Sequence, residues 1–224
     1  GTALFDILDI GPTPPGTPVL ISVLREIVST TPETGGDDEI LVGDGNDIVI
    51  GGKGTDFINF KRLASPGDDP VRVGLDEGND VMIGDSGFAR FDTSNGTSIL
   101  VEAGTTAPEE GSDDYILAGN GSDVVLGGSG NDFVDAGTDA SQDVVLGDNG
   151  LAEFDLVDIG PDPAGNPIIV SVLREITSTF PDQGGDDTLL LGNGLNFGVG
   201  GIGNDTITSE TGDSVLLGDN GEIK

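Results

Sequence analysis

The chain has 224 residues, 39 of them Gly, and its 41 acidic against 8 basic residues give a net charge of −33. That charge excludes nucleic acid and anionic membrane surfaces as partners, and it calls for cations to hold any compact state together. With no Cys, no His and a single Met, Met82, the chain excludes soft-ligand metals and every nucleophile that needs a histidine base, which leaves hard, oxygen-liganded divalent ions. No run approaches the length of an apolar transmembrane helix, and no signal-peptide pattern stands at Gly1.

In chain order, the first element is FDILDIGPTPPGTPVLISVLREIVSTTP, Phe5 to Pro32. Two alternating β-branched runs around a Pro/Gly-rich tip predict a hairpin over 5–32. Behind it come nine-residue segments in one phase, each with Asp sixth and a large apolar residue eighth: ETGGDDEIL, VGDGNDIVI and GGKGTDFIN. An insertion follows over 60–74, containing KRLASPGDDPVRV with Lys61, Arg62 and Arg72. It reads as a solvated loop, with contact to an acidic neighbouring subunit as the alternative. LDEGNDVMI then leads into GDSG, Gly84 to Gly87.

GFARFD opens a second unit with a shorter hairpin over 91–108, followed by EEGSDDYIL, AGNGSDVVL, GGSGNDFVD and TDASQDVVL up to GDNG at Gly147. GLAEFD opens a third, with a hairpin over 154–181 and then DQGGDDTLL, LGNGLNFGV, GGIGNDTIT and SETGDSVLL up to GDNG at Gly218. The units therefore run 1–86, 87–149 and 150–220, with rolls over 33–86, 109–149 and 182–220, and 221–224 restarts the motif. A start and a stop inside one motif predict a window on a longer array.

Each nonapeptide compresses a turn and a three-residue strand. The eighth residue points inward and its two neighbours outward, since side chains alternate along a strand. Successive nonapeptides alternate between two sheets, and their outward residues differ. Even turns carry Ile48 and Ile50, Val81 and Ile83, Val124 and Leu126, Val144 and Leu146, Phe197 and Val199, and Val215 and Leu217. Odd turns mix in Glu39, Asn59, Asp135, Thr188, Thr206 and Thr208, with Arg90, Asp92, Glu153 and Asp155 from a fifth segment after which the excursion counts as a sixth. One sheet is thus apolar on both faces and requires a cover, which the hairpins are placed to supply; the shorter middle hairpin leaves part of that sheet exposed.

The pattern G-G-x-G-x-D-x-U-x, repeated in this phase, resembles the RTX family over roughly 60% of the chain. The resemblance implies an all-β, parallel β-roll loaded with several Ca2+ ions, here with a β-hairpin excursion in each long repeat. It implies as metal ligands Asp38, Asp47, Asp56, Asp80, Asp114, Asp123, Asp132, Asp143, Asp187 and Asp205. Carbonyl-bearing turn glycines join them: Gly43, Gly45, Gly52, Gly54, Gly119, Gly121, Gly128, Gly130, Gly201 and Gly203. Asn196 and Ser214 stand where Asp is expected, and Gly198 replaces an inward residue, so those turns are expected to lack an ion. No catalytic residue is predicted. The expected function is a calcium-rigidified structural repeat of a large exported bacterial protein, an adhesin stalk, surface-layer or fibre-forming segment, located outside the cell after type I secretion. The alternative is a carrier module of an exported hydrolase or toxin. Expected partners are calcium ions and neighbouring repeats or further copies of the chain.

Overall fold

The computed structural model describes residues 1–12, 18–62, 70–73 and 76–224, with side chains over the same span except 9–12 and 18–19. The Pro-rich tip of the first hairpin and the middle of the 60–74 insertion lie outside the described residues. In the first unit a hairpin of β1 (Thr2–Pro12) and β2 (Pro18–Val28) precedes the short strands β3 (Glu39–Ile40), β4 (Ile48–Ile50) and β5 (Phe57–Ile58). A two-stranded excursion, β6 (Phe60–Lys61) and β7 (Val71–Arg72), interrupts the roll before β8 (Val81–Ile83). The second unit has a hairpin of β9 (Gly87–Asp92) and β10 (Ile99–Thr105), then β11 (Tyr115–Leu117), β12 (Val124–Leu126), β13 (Phe133–Asp135) and β14 (Val144–Leu146). The third repeats this with β15 (Gly150–Pro161), β16 (Pro167–Ser178), β17 (Thr188–Leu190), β18 (Phe197–Gly201), β19 (Thr206–Thr208) and β20 (Val215–Asp219), and β21 (Glu222–Ile223) follows.

The short strands form two parallel six-stranded sheets, β3-β5-β11-β13-β17-β19 and β4-β8-β12-β14-β18-β20. Each unit contributes two strands to each sheet. The inward residues Ile58, Met82, Ile116, Val125, Val134, Val145 and Leu189 are fully buried between them. At Gly198 the missing side chain is made up from the sides: a Cβ there would lie 2.9 Å from Leu191 and 3.0 Å from Leu216. Leu191 stands where the second unit places Ala118 and Ala136, so a larger neighbour fills the gap.

The cover expected for the apolar sheet is present and is continuous. The hairpins join edge to edge in one antiparallel sheet of order β1-β2-β9-β10-β15-β16-β21. Its inner face places Ala89, Phe91, Ala103, Ala152 and Ile176 on the outward residues of the even turns, from Val81 to Val199. The hairpin strands start earlier than 5, 91 and 154, at Thr2, Gly87 and Gly150. Hence the fifth segment is not a roll strand. GDSGFARFD has Ala89 at the sixth position, where an Asp would face the edge, and the chain leaves the roll at Gly87. Arg90, Asp92, Glu153 and Asp155 accordingly lie in the cover sheet, where Arg90 pairs with Glu26 and Glu102, and Arg174 with Glu153. Beneath the short middle hairpin, a cavity of about 700 Å³ remains between the two long ones, lined by Val81, Phe91, Leu100, Val124 and Val144.

The described ends of the 60–74 insertion are not a solvated loop. Phe60 is 3% exposed and sets its edge against the rings of Tyr115 and Phe133, above Phe57. Arg62 pairs with Asp37 and Arg72 with Asp135, so these cations serve the chain's own roll. Asn59, expected on an outer face, is instead 1% exposed with a φ of 56°. It turns inward because the chain departs at Phe60.

Replacing the fully buried Ile116 by Ala removes packing from both sheets and is expected to cost about 2–5 kcal/mol. The exposed Ile202→Ala should stay within about 0.5 kcal/mol. Urea titrations at saturating calcium compare the two.

Candidate metal centre

The turns of the roll stack along two edges. On the first edge, chain passing from the apolar-faced to the polar-faced sheet presents Asp38, Asp56, Asp114, Asp132, Asp187 and Asp205. On the second edge, the return passage presents Asp47, Asp80, Asp123, Asp143 and then Asn196. All ten predicted aspartates fall in these two columns. After Asp38 and Asp47, which begin the columns, each carboxylate is tied to the preceding turn of its column by its Oδ1. The N–H of Asp38 donates to Asp56, that of Asp56 to Asp114, and that of Asp114 to Asp132, each at 2.7 Å. Asp132 donates to Asp187 at 2.8 Å and Asp187 to Asp205 at 2.9 Å. On the second edge Asp47 donates to Asp80 and Asp80 to Asp123 at 2.8 Å, and Asp123 to Asp143 at 3.1 Å.

The other oxygen is left over. Oδ2 of Asp56, Asp80, Asp114, Asp123, Asp132, Asp187 and Asp205 is buried with no hydrogen-bond partner. An unpaired buried anionic oxygen is costly, and so many in two columns point to bound cations at these seven positions. The first-edge turns supply the remaining space and ligands. The residue opening each turn there is Gly51, Gly84, Gly127, Gly147 or Gly200. A Cβ on any of these would overlap the Oδ2 of the Asp in its column and crowd the carbonyl oxygen of the next such glycine. The cradle is therefore one anionic oxygen facing backbone carbonyls, the donor set that suits Ca2+.

Nine of the ten predicted glycines serve the bend itself, with φ between 104° at Gly119 and 140° at Gly45 and Gly121. Side chains rarely adopt such angles. Gly43 is the exception, with ordinary φ and no atom within 4 Å of a Cβ. The glycines that open the first-edge turns, which border the orphaned oxygens, were not among the predicted residues.

Asp85 and Asp148 were also missed. Each replaces the second glycine of a turn at a unit boundary and is almost fully buried. Asp85 accepts the N–H of Ser112 at 3.1 Å and of Ser129 at 2.6 Å, and Asp148 that of Gly185 at 2.9 Å and of Ile202 at 2.5 Å. Both carboxylates thus clamp two later turns through backbone donors. A second, outer ladder runs through the fifth position: Asn131 donates to Asp113, Asp186 to Asn131 and Asn204 to Asp186.

Asn196 continues its column in another way. Its Oδ1 accepts the N–H of Asp143 at 2.9 Å, while its Nδ2 donates to the carbonyls of Leu191 at 2.5 Å and Asn193 at 2.9 Å. An amide N–H occupies carbonyls where a cation would otherwise be needed, which fits the expectation of a turn without an ion. One position on, the Ser214 hydroxyl meets that of Ser209 at 2.7 Å.

Parallel strands whose edges carry two columns of half-satisfied carboxylates define a stack of hard-cation sites. A family model, the RTX calcium-binding nonapeptide repeat, matches in four copies over residues 34–61, 110–143 and 199–222. These segments are RTX repeats, which bind Ca2+ and are structural repeats of exported bacterial proteins. The matches span less than half of the chain, yet the turns between them keep the same ladder. No curated protein and no solved structure matches the chain.

Without a cation, burial raises the carboxyl pKa values. Desolvation pushes Asp56 up to about 6, Asp80 and Asp143 to about 7, and Asp123 and Asp187 to about 8, against the lowering effect of the backbone N–H each accepts. Asp114 reaches about 9 because the charge of Asp85 adds to its burial. Asp132 is raised well above the usual carboxyl range by its burial, with the charges of Asp114 and Asp187 adding to it. Raised folded-state values mean that the cation-free roll binds protons more tightly than the unfolded chain. This contribution is fully present below about pH 4, the unfolded carboxyl range, and is lost as pH rises through about 6 to 9.

In chelator the β signal in circular dichroism is therefore expected to be stronger near about pH 5 than near about pH 8, and calcium should close the gap. Calcium uptake at neutral pH should release protons, measurable with an indicator dye. Gly84→Ala places a methyl in the cradle, 2.6 Å from the Gly127 carbonyl. It should raise the calcium midpoint of folding by at least about tenfold, whereas Gly43→Ala, in open space, should leave it unchanged.

Proposed function

We propose that the chain is a calcium-rigidified structural segment of a large exported bacterial protein, serving as a stalk or fibre-forming array on the cell surface. The observation that carries this reading is that all three layers run unbroken across the unit boundaries. The register is translated as well: Ile176 pairs with Ile223 as Ile27 pairs with Ala89. The ligands on this reading are the aspartates of the two columns, with carbonyls of the turns facing them.

Charge explains the dependence on calcium. Seven of the eight basic side chains already pair within the chain. The remaining negative charge has no internal counterpart. In a cell interior poor in calcium the chain stays open and exportable, and outside it closes on ions at affinities of about 10⁻⁴ to 10⁻³ M, as in other extracellular modules.

Small-angle scattering and circular dichroism test this together. In chelator at neutral pH the chain should be expanded with little β signal, and millimolar calcium should compact it. Two copies joined head to tail should lengthen the compact form by about 29 Å, six strands at about 4.8 Å each. An unchanged spectrum in chelator removes the calcium role, and a doubled chain that folds back on itself removes the stalk.

A further inference from the structure

We propose that Asp76 joins Asp47 and Asp80 in a three-carboxylate calcium site, tighter than the other sites of the second edge and filled before them. The proposal rests on the calcium reading above and adds a ligand that the nonapeptide pattern does not contain. The ligand oxygens of the three aspartates lie within 4.8 Å of one another. Asp76 is 4% and Asp80 1% exposed, and Oδ1 of the former and Oδ2 of the latter have no partner. No basic side chain of the described residues pairs with any of the three. Three close carboxylates with two orphaned, buried oxygens repel one another unless a cation lies between them.

Asp76 is unusual among aspartates at its place in the turn. The corresponding position is Gly43 one turn earlier and Gly119 one turn later. Asp85 and Asp148 occupy the same position on the first edge, but backbone N–H groups hold both. Asp139, also in a second-edge turn, has its oxygens taken by the Gly121 N–H and by Ser141. In Asp76, Oδ2 accepts the Asn59 Nδ2 at 3.0 Å, which fixes the carboxyl and leaves Oδ1 toward the cluster. Asn59 is itself held, accepting the Val42 N–H at 3.0 Å and donating to the Leu117 carbonyl at 3.1 Å.

The location supplies a reason for the extra charge. The 60–74 insertion interrupts the chain between β5 and β8, where closing a long loop costs entropy that an uninterrupted turn does not. A cation held by Asp47 from the turn before and by Asp76 and Asp80 from the turn after joins the roll across that interruption. Calcium affinity rises with the number of charged ligands, so this site leads the others.

The test is calorimetric calcium titration of the full chain as wild type, Asp76→Asn, Asp80→Asn and Asp139→Asn. Asp76→Asn is expected to remove one ion from the tightest class, or weaken it by about tenfold or more, while Asp139→Asn matches the wild type. Superimposable wild-type and Asp76→Asn curves, with Asp80→Asn shifted, overturn the proposal and leave the calcium reading intact. A wild type that takes up no calcium overturns both. If Asp76→Asn does not fold at saturating calcium, Asp76→Gly decides by the same criteria, since Gly43 and Gly119 show that the turn accepts glycine.

Discussion

The hydrogen bond from one aspartate N–H to the Oδ1 of the aspartate in the next turn of the same column is the contact on which the rest depends. It fixes the coil at two nonapeptides, because eighteen residues return an Asp to the same edge at the next level, as from Asp38 to Asp56 and from Asp114 to Asp132. It also uses one carboxylate oxygen and, on the first edge, leaves the other turned toward carbonyls of a glycine-opened turn. The ladder gives geometric order and, with the same groups, creates an electrostatic deficit. Protons or calcium fill that deficit, so the fold depends on what the solvent supplies.

The sheets show how unequal surfaces are managed. The apolar-faced sheet is buried on both sides, as parallel sheets generally are, and its cover is an antiparallel sheet that needs no ion. The polar-faced sheet needs no cover along most of its length. Where it carries Phe57, Tyr115 and Phe133, the insertion lays Phe60 and two arginines over them.

The columns, the two sheets and the need for a cover were legible because each rests on a period that one sequence displays many times. What escaped was single-copy or relational. Asn59 reads as an outward strand residue until the departure at Phe60 is known, and Asp76 reads as a turn residue until Asn59 is placed against it. Asp85 and Asp148 served only as phase marks, although an Asp in place of a glycine that otherwise requires positive φ was a signal. The segment GDSGFARFD kept the phase but not the Asp. Ala89 in its sixth position was the evidence that the chain had left the roll. The glycines opening the first-edge turns were overlooked because their role is the space beside a carboxylate, which for Gly84 and Gly147 comes from beyond a hairpin, and spacing alone does not express it.

The cover sheet pairs β2 with β9, β10 with β15, and β16 with β21, so every one of its inter-unit seams is a strand pair rather than a linker. The two roll sheets cross the same boundaries with their own pairings, β5 to β11 and β8 to β12 among them. A bend at a boundary would have to open hydrogen bonds in three stacked layers together. Such an array behaves as a beam of that depth, not as beads on a string, and a force applied at one end is carried to the other without a hinge between.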